Sequence, residues 1–214
     1  GEPKTEMWFI ADAAQNAELF VGLKHGMTRK DFEKKISDGS VADCFHRIPV
    51  RAGDAMFLPS GRVHAIGAGL VIFEIQQNSD TTYRVFDWNR VGLDGKPREL
   101  HIAQSLASID FKDFEPKSVE KIFKQSGPLN YRTLADNPLF KVTEARFETP
   151  EFLLLRNLTM QIVAIVKGGA KIYGMDNVQG LELSSGQFCL IPASLNRPEV
   201  EVKPGTTFLI IEAN

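Results

Sequence analysis

The stretch Gly53-Asp54-Ala55-Met56-Phe57-Leu58-Pro59-Ser60-Gly61-Arg62-Val63-His64 decides the reading of the fold. A glycine enters a short strand whose residues alternate faces, a Pro-Ser-Gly hairpin turn follows, and a histidine is aimed back toward the space between sheets. A lone histidine is more often a satisfied polar residue than a ligand. The glycine and proline punctuation around this one makes His64 the best metal-ligand candidate in the chain.

Outward from that stretch the texture is short strands. Met7 to Asp12 and Glu18 to Leu23 are apolar runs of strand composition and read together as a hairpin. Residues 46–50, 55–58, 70–77 and 82–87 read as further strands, with Gly and Pro at 49, 53, 59, 61, 67 and 69 spaced closely enough for a barrel or sandwich. Two helices interrupt them. Thr28 and Gly39 bracket residues 29–38 as a hydroxyl N-cap and a glycine stop, with Asp31 three residues after the cap and Phe32 and Ile36 on the buried side. Residues 99–109 read as the second.

Residues 111–135 are polar and lysine-rich and are expected to connect two units. Strands resume at 140–147, 159–166 and 170–173. Residues 186–194 then repeat the glycine, five residues, proline register of the first motif, so the chain reads as two related barrels: 1–110 with helical insertions, and 136–214. Arg197 stands where the second copy needs a histidine, and that unit is expected to hold no metal.

Composition narrows the partners. The chain of 214 residues is 43% hydrophobic and 24% charged, an ordinary globular balance that excludes disorder. No apolar run approaches the roughly 18 residues of a membrane-spanning helix. A net charge of −2 provides no general field for nucleic acid or anionic lipid. Cys44 and Cys189 are far apart and outside any Cys-x-x-Cys pair. With no signal peptide visible they are expected to be reduced thiols of a cytoplasmic protein.

The segment 73–87 concentrates polar groups between two strand-forming runs. Asp80 and Arg84 are placed to pair if the turn at 78–81 folds back, leaving the guanidinium oriented for an anion. A structural ion pair is the plainer reading of the same spacing.

The Gly-x5-Pro-x-Gly-x2-His pattern is similar to the second signature motif of cupin β-barrels. Lys4 to Trp8, Pro59 to Ala65, Gln76 to Asp87 and Pro97 to His101 together, in that order, resemble the type I mannose-6-phosphate isomerase family in its shorter bacterial form. The resemblance implies an all-β cupin fold and a zinc ion bound by the glutamate of Lys-x-Glu-x-Trp, here Glu6, and by the histidine of Pro-Ser-Gly-x-x-His, here His64. The family's further histidine ligand, in a Val-His-Pro segment, is expected upstream of Gly1; His25, His46 and His101 do not sit before a proline.

The resemblance further implies that Arg84 is catalytic, that Lys4 and Asp80 bind substrate, and that Arg90 contacts phosphate at the spacing where longer relatives carry a lysine. The expected reaction interconverts mannose 6-phosphate and fructose 6-phosphate through an enediol or enediolate, with a sugar phosphate as the small-molecule partner. Two other classes stand beside it. A non-catalytic sugar-sensing cupin is compatible with the fold, because similar barrels host unrelated functions. A metal-dependent oxygenase cupin would show a His-x-His element, which the chain lacks.

Overall fold

In the computed structural model, the structure describes residues 2–214 apart from Asn89, Leu93, 156–158, 175–178 and Asn196. The chain divides into two compact units, Gly1–Ser118 and Val119–Asn214.

The first unit holds β1 (Glu6–Ala13), β2 (Glu18–Leu23), α1 (Arg29–Asp38), a single 3-10 turn at Val41–Cys44, β3 (Phe45–Pro49), β4 (Ala55–Leu58), β5 (His64–Ile66), β6 (Leu70–Gln76) and α2 (Ile102–Ser108). Its strands form two antiparallel three-stranded sheets, ordered β4-β1-β6 and β3-β2-β5. The predicted hairpin of β1 with β2 does not form. Residues 6–10 are buried on both faces, and such a strand is stable as the centre of a sheet, so β1 takes β4 and β6 as neighbours. β2 lies in the other sheet, and the two strands meet through side chains: Trp8 and Ile10 share one apolar cluster with Leu19, Val21, Met56 and Leu58.

The quoted motif is likewise a crossing between sheets and not a hairpin. Arg62 N–H closes the turn on the Pro59 carbonyl at 3.1 Å, but β4 before it pairs with β1, and β5 after it pairs with β2. Gly53 and Gly61 supply the left-handed backbone this path requires, at φ 83° and 92°. Gly53 N–H reaches the Ile10 carbonyl at 2.8 Å, and a Cβ at Gly61 would stand 3.1 Å from the Ser108 carbonyl oxygen.

α1 follows its local signals. The Thr28 hydroxyl accepts from Asp31 N–H at 3.2 Å, and Gly39 ends the helix in the left-handed region. Phe32 is fully buried among Leu23, Val41, Cys44 and Phe45. Two other expectations are corrected. Residues 82–87 are irregular, because the backbone of Arg84 bonds to His101 instead of a neighbouring strand. The second helix begins at Ile102 and not at Glu99, since the Glu99 carbonyl and the His101 N–H are taken up by Arg84.

The second unit contains β7 (Lys124–Ser126), β8 (Leu129–Asp136), β9 (Phe140–Phe147), β10 (Glu151–Leu154), β11 (Gln161–Lys167), β12 (Gly169–Tyr173), β13 (Leu181–Ser184), β14 (Phe188–Ile191), β15 (Glu199–Val202) and β16 (Thr206–Ala213). They form antiparallel sheets ordered β10-β15-β12-β13 and β14-β11-β16-β9-β8-β7. The stretch expected as a connection thus carries β7 and most of β8. Its polar look is misleading, because Arg132 points inward and is neutralised by Glu144 on β9. Phe147, Val163, Ile165, Val200 and Phe208 fill the core of this unit. No sheet closes on itself among the described residues.

Candidate functional site

Strand alternation puts Glu6, Trp8 and Ile10 on the face of β1 that looks toward the opposite sheet. That face is apolar except at its start, where Glu6 is only 2% exposed. A buried carboxylate needs compensation, which Lys4 and Trp8 provide, with His64 standing beside them. Lys4 Nζ lies 3.2 Å from Glu6 Oε1 and 3.6 Å from Glu74 Oε1. Trp8 Nε1–H donates to Glu6 Oε2 at 3.1 Å. His64, at the first position of β5, brings Nε2 to 3.5 Å from the same oxygen. The Trp8 and His64 rings meet edge to face, with centroids 5.0 Å apart.

The histidine is held from behind. Its Nδ1 is 2.8 Å from the Arg62 carbonyl oxygen, which can only accept, so Nδ1 carries the proton. In the neutral ring, Nε2 is then a bare lone pair facing a carboxylate oxygen. Two acceptors at that separation are stable only with a proton or a cation between them. Ligands about 2.0–2.2 Å from a tetrahedral zinc stand about 3.3 Å apart, so this pair has the bite of two ligands on one ion. A nitrogen and an oxygen donor are also of the type zinc takes. Glu6 and His64 therefore fit the metal. Among the described residues no cluster of three or more His, Cys, Asp or Glu completes the set.

These groups open on a cavity of about 860 Å³ lined also by Lys4, Glu74, Tyr83, Arg84, Trp88, Arg90 and Arg98. Arg84 is half-buried, and its Nη1 donates to the Glu99 carbonyl at 3.2 Å. The expected ion pair with Asp80 is absent among the described residues: Asp80 is exposed on the loop and outside the cavity lining. Arg90 is exposed, with its guanidinium 6.0 Å from the Trp88 ring centre.

Other groups at the rim had no role in the sequence reading. Arg98 grips both oxygens of Asp87, which holds that carboxyl below its ordinary range, with the charges of Arg84 and Arg90 acting in the same direction. Arg62 is locked bidentately on Asp113 at 2.8 Å and donates to the Phe57 carbonyl, so its charge is spent on structure. His101 holds the backbone of Arg84. Trp8, Asp87, Arg98 and His101 all lie within the motifs singled out, but nothing in sequence spacing marks pairs 11 or 17 residues apart. Cys44 and Cys189 are free thiols.

Two sheets facing across a glutamate and a Pro-Ser-Gly-x-x-His histidine place the chain among proteins of the cupin fold. Its homologues, more particularly, are mannose-6-phosphate isomerases. It is 30% identical over 198 residues to the mannose-6-phosphate isomerase ManA of Bacillus subtilis, covering 92% of this chain and 61% of that protein. The crystal structure of the mannose 6-phosphate isomerase from Bacillus subtilis superposes with a TM-score of 0.85 at 26% identity, covering 98% of this chain and 64% of that one. A mannose 6-phosphate isomerase crystallised with zinc and yttrium shares the fold, with a TM-score of 0.64 at 15% identity over 99% of this chain and 66% of its own. No protein-family model matches the chain. The chain spans 61% of the length of the ManA relative it matches.

Proposed function

We propose that this chain forms the zinc- and substrate-holding part of an isomerase that interconverts mannose 6-phosphate and fructose 6-phosphate. One observation carries the reading: Glu6 and His64, from opposite sheets, face each other acceptor to acceptor at 3.5 Å in the cavity that Arg84 lines. The relatives above support the same reading.

Moving a proton between C2 and C1 of the open-chain sugar passes through an enediol or enediolate, whose developing negative oxygen must be stabilised. Arg84 suits that task. Its guanidinium stays charged at any working pH, spans two oxygens, and makes no salt bridge to a carboxylate among the described residues, leaving it open to a ligand. Glu6 and His64 would hold zinc, which when bound supplies a Lewis acid for the substrate oxygens. Lys4 orients Glu6 and offers its remaining donors to a sugar hydroxyl. Arg90, exposed at the rim, is placed to meet the phosphate. The second unit, carrying Arg197 where a ligand histidine would stand, takes no metal in this reading. The two free thiols support cytoplasmic placement.

The test is metal analysis together with a coupled assay of mannose 6-phosphate turnover, on the protein and on Arg84→Ala. Bound zinc, measurable turnover, and a loss of roughly a hundredfold or more in the variant with zinc retained are expected. Near-wild-type turnover in Arg84→Ala removes the arginine from its role. Sugar-phosphate binding without turnover replaces the isomerase with a sugar sensor, and bound iron with oxygen uptake replaces it with an oxygenase.

A further inference from the structure

Arg84 sits in an irregular segment with no neighbouring strand to fix it, yet the proposed chemistry needs its guanidinium held in place. The backbone of Arg84 is held by a residue 17 positions on, His101. Arg84 N–H donates to the Nδ1 of His101 at 3.2 Å, and His101 N–H donates back to the Arg84 carbonyl at 2.7 Å. Glu99, two residues earlier on the same segment, accepts from Arg84 Nη1 at 3.2 Å. Backbone and side chain of the arginine are thus gripped by one short irregular stretch, 99–101.

We propose that His101 is the positioning residue for Arg84, an inference that rests on the isomerase reading above. Two features separate this from a helix-capping role. His101 occupies the N-cap of α2, but its side chain makes no capping hydrogen bond. Only its carbonyl serves the helix, accepting from Ser105 N–H at 2.8 Å. The imidazole is spent on Arg84. Because Nδ1 accepts there, the neutral ring carries its proton on Nε2, the opposite tautomer to that of His64. The ring also lies 6.2 Å from Tyr83, a cavity-lining neighbour of the arginine.

A guanidinium displaced by about 1 Å at a reacting centre costs on the order of a hundredfold in rate. His101→Ala is therefore expected to lower kcat by about 10- to 100-fold with KM changed less than about threefold. His101→Asn, whose amide oxygen can accept near the Nδ1 position, should stay within about threefold of the parent; His101→Phe, which keeps a ring but no acceptor, should match alanine. In the Arg84→Ala background, His101→Ala should add less than about a twofold further loss, because residues acting as a unit are not additive.

Wild-type kcat in His101→Ala beside a crippled Arg84→Ala overturns the inference and leaves the isomerase reading standing. Equal losses from His101→Ala in both backgrounds show a merely structural residue and also overturn it. If His101→Ala fails to fold, equal turnover of the Asn and Phe variants overturns it instead. Full activity in Arg84→Ala brings down both readings together.

Discussion

Among the described residues, each unit buries one glutamate on a central strand, and the two are neutralised in different ways. Glu144, in the second unit, is 0% exposed. Its oxygens receive Arg132 Nε at 2.6 Å and Arg146 Nε at 2.7 Å, and the Phe123 ring lies against both guanidinia at 5.2 and 4.2 Å. Two permanent cations close the site. Glu6, in the first unit, is nearly as buried, but its partners are one lysine, one indole N–H and a histidine whose facing nitrogen is bare when neutral. Burial alone therefore does not mark a functional carboxylate. The distinguishing feature is whether the last partner is a fixed cation or an acceptor that needs a further positive charge.

The sharpest way to break this comparison is to neutralise each glutamate in turn. Glu144→Gln removes the carboxylate charge that Arg132, itself 1% exposed, and Arg146 share, and is expected to cost about 3–5 kcal/mol of stability, as removing one partner of a buried ion pair does. Glu6→Gln leaves behind only Lys4, which has Glu74 within 3.6 Å. Its expected cost is less than about 1 kcal/mol, in the range of ordinary partly exposed pairs, while zinc retention is lost. Urea unfolding of both variants with metal analysis of the second decides it. Equal destabilisation by the two would erase the distinction.

A smaller effect is expected from Trp8. Its indole N–H fixes the Glu6 oxygen that faces His64, and groups that orient a metal ligand are worth about 10- to 100-fold in metal affinity. Trp8→Phe keeps the ring against His64 and removes only that donor. Zinc titration should show a loss in this range with the unfolding midpoint little moved. An unchanged affinity would mean that strand geometry alone aims the carboxylate.

Features decided within four residues were legible in the sequence. α1 runs where Thr28 and Gly39 said it would, because its cap hydroxyl, acid and glycine act on adjacent backbone. Of the six side chains proposed for the site, Lys4, Glu6, His64, Arg84 and Arg90 line one cavity and Asp80 does not. Features that depend on distant partners were misread. The run 82–87 has strand composition, but its hydrogen bonds go to His101. Residues 111–135 read as a polar, lysine-rich connection, yet their second half carries β7 and most of β8, where a carboxylate 12 residues on takes Arg132 inside. The β1 and β2 runs are both strands, and the error lay in pairing them, since local sequence cannot tell a hairpin from two strands that meet face to face.

A third carboxylate completes the series and gives the smallest effect. Asp87 is clamped by Arg98, a residue that remains 46% exposed on its side chain. The hydrogen bonds from Arg98 lower the Asp87 pKa, as do, more weakly, the charges of Arg84 and Arg90. A carboxyl with a depressed folded pKa adds stability above its unfolded pKa of about 3.9, and that contribution fades as pH falls through the folded value. Arg98→Ala should therefore lower stability slightly at neutral pH, with the variant and parent curves converging in acid. NMR titration should show the Asp87 carboxyl rising only part of the way to its ordinary value, because Arg84 and Arg90 remain. Curves that run parallel to the acid limit would make the clamp a matter of packing instead of charge.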